Sequence, residues 1–239
     1  MKTIVTVVVG LLITVHSFCQ KPREVTIRPG QTASSAFPIK DKYRYPNFHD
    51  GFLITPEGKK SQPLKLNFNV FSGLPQFINE KGDTLFLDEH IAKYVQIKET
   101  TYLHNSSKDY YELILNTVPI RLAIEREWRI ARVETVYDGS RGGKESISFS
   151  RDTQNAVYSP TLGRMVRNEN TVFERDSSYF FIDAKEKIYK ANESNLLRLF
   201  ADHKKQINDR LSQESIDFKK EEELKKLFQF CLSLAQVKP

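Results

Sequence analysis

The sequence predicts an α+β protein, mainly antiparallel β, in which a curved sheet or open barrel carries a C-terminal helical hairpin. Three observations lead there. From His49 to about Lys190, apolar residues recur at every second position in short runs split by Gly, Pro, Asn and Asp, which is the period of half-buried strands. Beyond Asn192 the interval lengthens to three and four, the period of an amphipathic helix. The chain has 2 cysteines, one of them in the N-terminal leader, so no internal disulfide can hold the remainder and an apolar core must.

Residues 1–19, MKTIVTVVVGLLITVHSFC, place one charged side chain, Lys2, ahead of an apolar stretch from Ile4 to Val15. That stretch falls short of the roughly 20 helical residues that cross a bilayer core. A basic start, a short apolar middle and small residues near the end form the layout of a secretory signal peptide. Ser17 and Cys19 supply the small side chains that cleavage before Gln20 requires. Lipid attachment at Cys19 is the alternative, but Phe18 and His16 stand where it wants a small and an aliphatic residue. The expectation is an exported chain, periplasmic or secreted and soluble after cleavage, with no transmembrane helix in its mature part.

Residues 20–47 carry Pro22, Pro29, Gly30, Pro38 and Pro46, too many breakers for a helix, and read as an extended lead-in. The β body spans 48–190. HDGFLITPEGKKSQPLKLNFNVFSG gives a strand, a turn at Pro56 to Lys60, and a strand with Leu64, Leu66, Phe68 and Val70 on one face. LPQFINEKGDTLFLDEH repeats the form around a turn at Lys81 to Asp83. Residues 94–104 and 109–116 read as two further short strands split by HNSSKD.

The clearest alternation follows. Val118, Ile120, Leu122, Ile124, Trp128 and Ile130 share a phase across Arg126, which predicts a strand from about Val118 to Arg132 with a bulge or a solvent end at Arg126. Residues 138–170 hold four of the 10 glycines and read as a mobile basic loop. SSYFFIDAKEKIYKA gives strand, turn and strand. In 191–236 a first helix starts at Asn192 or Ser194, with Leu196, Leu197, Phe200, His203, Ile207 and Leu211 at helical spacing. A second begins near Ser215 or Asp217 and carries Leu224, Leu227, Phe228, Cys231, Leu232 and Leu234. Cys231, inside that stripe, reads as a buried core residue.

The succession GFLITPEGKKSQPLKLNFNVFSGLPQFINEKGDTLFL, YYELILNTVPIRLAIER and SSYFFIDAKEKIYKANESNLLRLFADHKKQINDRL, closed by a Leu/Phe-rich helix, resembles an uncharacterised group of exported Bacteroidota proteins. Their outline is short hairpins, a stretch like YYELIL, a unit containing YFFID and a helical end. The resemblance covers about two thirds of the chain and consists of spacing and apolar pattern. It implies an envelope compartment and this architecture, and no reaction.

Signatures of chemistry are thin. The sequence holds no G-x-S-x-G, no phosphate-binding Walker loop, no H-E-x-x-H and no cysteine pair, so no catalytic residue, metal ligand or cofactor is assigned. His49 and Asp50 are neighbours, but adjacent strand residues point to opposite faces. Glu125 and Glu127 share a strand face, an arrangement open to two glycosidase carboxylates, with Arg126 and Arg129 making a surface charge ladder of them instead.

IKDKYRYPNFH is more suggestive. Tyr43, Arg44, Tyr45 and Phe48 form a candidate ligand-binding group able to stack sugars or bases while basic neighbours hold acidic groups. The alternative is that these rings cover a sheet edge. Lysine plus arginine exceed aspartate plus glutamate by 36 to 30, and their interleaving argues against nucleic acid. The expected function is therefore a non-enzymatic envelope protein that binds a protein or an anionic glycan. The alternative is an envelope carbohydrate- or peptide-processing hydrolase whose groups converge only in the fold.

Overall fold

The alternating runs pair into one antiparallel sheet, seen in a computed structural model that describes residues 23–88, 90–105, 110–134, 146–147 and 170–236. Its strands are β1 (Glu24–Ile27), β2 (His49–Ile54), β3 (Leu64–Asn69), β4 (Leu74–Ile78), β5 (Thr84–Phe86) and β6 (Tyr94–Ile97). They continue with β7 (Thr100–His104), β8 (Tyr110–Leu115), β9 (Arg121–Glu134), β10 (Ser146–Ile147), β11 (Asn170–Ile182) and β12 (Ile188–Lys190). The spatial order is β1-β11-β9-β8-β7-β6-β2-β3-β4-β5, with β10 on β9 and β12 on β11. Most neighbours are consecutive hairpins; β11 returns beside β9 after the long excursion. The leader, Cys19 and most of 138–170 lie outside the described residues.

The sheet is curved and open. Ile27 and Phe173 near one end share an apolar core with Leu66 and Phe68 near the other, so the sheet has curled without its end strands pairing. Phe37 of the lead-in plugs the curl, its ring 4.5 Å from Phe71, 5.1 Å from Trp128 and 5.5 Å from Phe173. The indole N–H of fully buried Trp128 donates to the Asp41 carbonyl at 2.9 Å, satisfying the polar atom of that ring. The lead-in is therefore built in. Between its prolines it forms β1 and two single-turn helices, α1 (Ala33–Ala36) and α2 (Ile39–Lys42), where an extended run was expected.

Helices cover the other half of the inner face. Asn192 caps α3 (Glu193–Leu199), its side chain accepting from the Asn195 N–H at 2.9 Å. The expected single helix then breaks at Phe200, whose backbone (φ −113°, ψ 49°) leaves the helical region, and resumes through a 3₁₀ turn into α4 (Lys204–Gln213). Phe200 stays buried, edge-on to Phe228 of α5 (Glu221–Gln236) at 6.0 Å, so packing fixes the break. Asp217 begins a turn ahead of α5, and Glu223 reaches back to its N–H at 2.8 Å. Leu224, Leu227, Phe228 and Cys231 bury against Ile120, Leu122, Ile124 and Phe181.

Other boundaries moved for identifiable reasons. Residues 94–104 form two strands, because Lys98 takes a left-handed φ of 54° and turns the chain between the paired Ile97 and Thr100. Val118, 80 % exposed, precedes β9, which starts at Arg121. Arg126 pairs regularly with Ser177; the bulge falls at Ala131, so that Ile130 and Val133 join the same core. β11 begins at Asn170, several residues ahead of the SSYFFID pattern.

Two expectations follow. Gly51 sits where β3 and β6 flank β2 closely: a Cβ there runs into the Gln96 carbonyl and meets Leu66 Cδ1 at 2.8 Å. Gly51→Ala should cost about 1–3 kcal/mol in urea denaturation, and an unchanged midpoint would mean that the backbones separate easily. Burial pushes the Cys231 thiol up to about 12. In alkali the unfolded chain ionises this thiol near 9.0 while the folded one keeps its proton, so its contribution falls as pH rises from there towards 12. Replacing it in Cys231→Ala should flatten the alkaline loss of stability relative to the parent, and an unaltered slope refutes the assignment.

Candidate binding site

β9 and β11 pair along almost their whole lengths, which sorts their side chains onto two faces. On the inner face β9 presents Leu122, Ile124, Arg126, Trp128 and Ile130, and β11 presents Phe173, Arg175, Ser177, Tyr179 and Phe181. The helices bury one end of this stripe and the lead-in buries the other. Between the two apolar cores lie Arg126, Ser177 and Arg175.

That gap is an arginine-rich slot. Arg44 reaches in from the lead-in and grips Glu112 of β8 with two hydrogen bonds of 3.1 Å. Arg126 donates to the same Glu112 at 3.3 Å and to Glu221, at the start of α5, at 3.1 Å. Glu221 is further paired with Lys225 at 2.7 Å. Arg23 reaches Asp41: its Nη2 donates to Oδ2 at 3.0 Å, while the 2.8 Å Nε to Oδ1 approach is a charge contact and lacks hydrogen-bond alignment.

The fourth arginine differs. Among the described residues the Arg175 guanidinium has no carboxylate partner, although its backbone N–H bonds the Arg23 carbonyl at 3.1 Å. Partial burial, then the charges of Arg126, Arg44 and Arg23, lower its pKa, with Asp41 opposing.

Glu112 explains how the other charges tolerate the site. Burial works to lower the pKa of Arg44, but the hydrogen bonds and charge of Glu112 overcome it and raise the value. Burial likewise works to raise Glu221, and Lys225 and Arg126 hold it below the usual carboxylate range. The Arg126–Glu221 clamp therefore contributes fully above the ordinary glutamate pKa and is lost as pH falls through the depressed one. It ties the helical cap to the sheet.

On the edge of β11 a second feature opens. β1 covers residues 171–174 and β12 covers 180–182, and hydrogen bonds at Arg175 and Tyr179 close the two ends. Among the described residues no strand covers 176–178. Here lies a cleft of about 570 Å³ lined by Glu127, Arg129, Asp176, Ser177 and Ser178, with Lys190, Lys219 and Phe218 on its far side. Arg129 pairs with Asp176 at 2.9 Å and with Glu174 at 3.0 Å. The amines of Lys190 and Lys219 have no carboxylate in ion-pair range among the described residues.

The four residues singled out from sequence are neighbours with different duties. Tyr43 and Phe48 meet edge to face at 5.5 Å, both half-buried, with the Lys42 amine 5.5 Å from the Tyr43 ring. Tyr45 donates to Thr100 at 2.7 Å and its ring meets His49 at 5.5 Å. Arg44 serves Glu112. Asp50, considered with His49, pairs instead with Lys65 at 2.9 Å.

Sequence reading missed Arg175, Glu112 and the cleft. Alternation could have placed Arg175 and Arg126 on the apolar face, had β11 been extended back to Asn170. No sequence signal marks Phe218 or Lys219 as neighbours of β11. Among the described residues no three His, Cys, Asp or Glu side chains gather as a metal site, and no helix is long and apolar enough to cross a membrane.

Glu112→Gln leaves two guanidinium groups without their shared carboxylate and should cost about 2–4 kcal/mol, whereas Glu221→Gln, at a more open position, should cost about 1 kcal/mol or less. Guanidinium-chloride unfolding of both variants checks the order, and equal losses would remove Glu112 from the centre of the network. Compared as a whole, the chain matches no protein-family model, no curated protein and no solved structure.

Proposed function

We propose that the chain is an exported, non-enzymatic binding module of the bacterial cell envelope that takes an anionic glycan into the cleft beside β11. One observation carries this: two lysine amines, Lys190 and Lys219, stand without carboxylate partners among the described residues around a cleft of about 570 Å³ that also holds Phe218, Ser177 and Ser178. Ammonium groups suit the carboxylates of acidic sugars, hydroxyls suit sugar hydroxyls, and an aromatic ring suits the apolar face of a pyranose. The signal-like layout of residues 1–19, with small side chains at Ser17 and Cys19, and the resemblance to exported Bacteroidota proteins support the compartment. Tyr43 and Phe48 are a further candidate aromatic contact for a sugar, with Arg44 and Tyr45 holding the segment in place.

Calorimetric titration of the mature chain with an oligosaccharide containing uronic acids, beside its neutral counterpart, tests the reading. The acidic sugar should bind, and the double variant Lys190→Ala/Lys219→Ala should weaken it by about tenfold or more. Undiminished binding in the double variant, or no binding by the parent, overturns it. A protein recovered in stoichiometric amount after crosslinking in the envelope, with no glycan affinity, replaces the glycan by a protein partner.

A second reading has its own observation. Asp176 and Glu127 stand directly opposite each other in the β9–β11 register and both line the cleft, the kind of carboxylate pair that glycoside hydrolysis uses. Time-dependent release of reducing ends from the same oligosaccharide, abolished in Glu127→Gln, makes the protein a hydrolase. Stable sugar over the same period leaves it a binder.

A further inference from the structure

The arginine slot has chemistry of its own, separate from the cleft lysines. Arg23 and Arg175 are direct cross-strand neighbours, since Glu24 pairs with Glu174 and the Arg175 N–H bonds the Arg23 carbonyl. Like charges so placed repel. One rung further, on the same inner face, stands Arg126, opposite Ser177. Arg23, Arg44 and Arg126 each have a carboxylate, Asp41 or Glu112, with Glu221 as a second partner of Arg126. Among the described residues Arg175 has none, and it stands at an exposed position of the inner face between the two apolar cores.

A folded protein has little reason to keep such a group there for stability. A leucine or methionine would continue the apolar stripe from Phe173 to Tyr179 and remove the repulsion. What the arrangement does provide is a planar donor fork in a field of like charges, which is how oxyanions are captured.

We propose that Arg175 is the binding residue of an oxyanion site that takes a phosphate, sulfate or carboxylate group, with Arg23, Arg44 and Arg126 supplying the surrounding positive potential and Ser177 a hydroxyl beside it. The bound group completes the charge balance that Asp41, Glu112 and Glu221 leave unfinished. The site stands whether or not the neighbouring cleft takes a glycan, because it uses none of the cleft lysines.

The test follows thermal unfolding and the emission of Trp128, the sole tryptophan, which lies opposite Arg175 in the β9–β11 register. Sodium phosphate, sulfate and acetate are each titrated against chloride at matched ionic strength. The parent should gain several degrees in a saturable manner with at least one oxyanion, and the strongest responder identifies the group that the natural ligand carries. Arg175→Met should fold with a midpoint equal to or above the parent's in chloride and lose the response. Arg28→Met, at an exposed arginine of the lead-in, should keep it. A response that survives in Arg175→Met, or one matched by chloride, overturns the proposal. So does a variant that is less stable than the parent in chloride, because Arg175 is then a structural residue.

Discussion

The β9–β11 ladder is the constraint on which the rest of the structure depends. Each strand is long enough to run under both apolar cores, and their direct pairing fixes which side chains those cores receive. The bulge at Ala131 is part of this. Without the extra residue Val133 would turn to the opposite face, and the lead-in core would lose a wall beside Ile130. Trp128, placed by the same register, meets the Phe37 ring edge to face and donates to the Asp41 carbonyl, so the lead-in is tied to the ladder.

Two cores on one sheet face need a boundary, and here it is charged. Apolar side chains from Ile124 to Trp128 would merge the cores; Arg126 separates them. A guanidinium in that position is tolerated because Glu112 and Glu221 accept from it, and because Glu112 also takes Arg44 from the lead-in. One carboxylate on β8 thus joins the sheet to the lead-in, while the other joins it to the helical cap. Burying such groups costs more than burying leucines. What the charges add is placement: the lead-in and the cap each meet the sheet at a defined rung, with charged side chains between them.

Much of the architecture was legible because it rests on period alone. The strand alternation from Leu122 through Ile130 and the helical stripe from Leu224 to Leu232 announce their buried faces by spacing. What stayed hidden depends on contacts between distant residues. The break at Phe200 comes from the Phe228 ring and from no helix breaker in the sequence. The Lys98 turn uses a left-handed residue that is neither Gly nor Asn. The start of β11 was obscured by Glu174, Arg175 and Asp176, which look like loop residues until their partners are known: Arg129 on the outer face, and the slot on the inner one. The Tyr43 to Phe48 group was visible as composition, but composition does not reveal that Arg44 is committed to a glutamate 68 positions away.

The slot and the cleft meet at the same few residues, and the geometry of β11 explains why. Over residues 176–178 the strand has left β1 and has not yet reached β12, and among the described residues no strand covers its edge. Over the same residues its inner face has left the lead-in core and has not yet reached the helical one. An edge without a strand partner and a face without an apolar cover both favour polar side chains, and the alternation sends Arg175 and Ser177 to one side and Asp176 and Ser178 to the other. A ligand seated there can address both faces of one strand at once, while the long ladder on either side keeps the strand rigid. A binding site at this point needs no separate scaffold: it occupies an interval of β11 that neither β1 nor β12 covers.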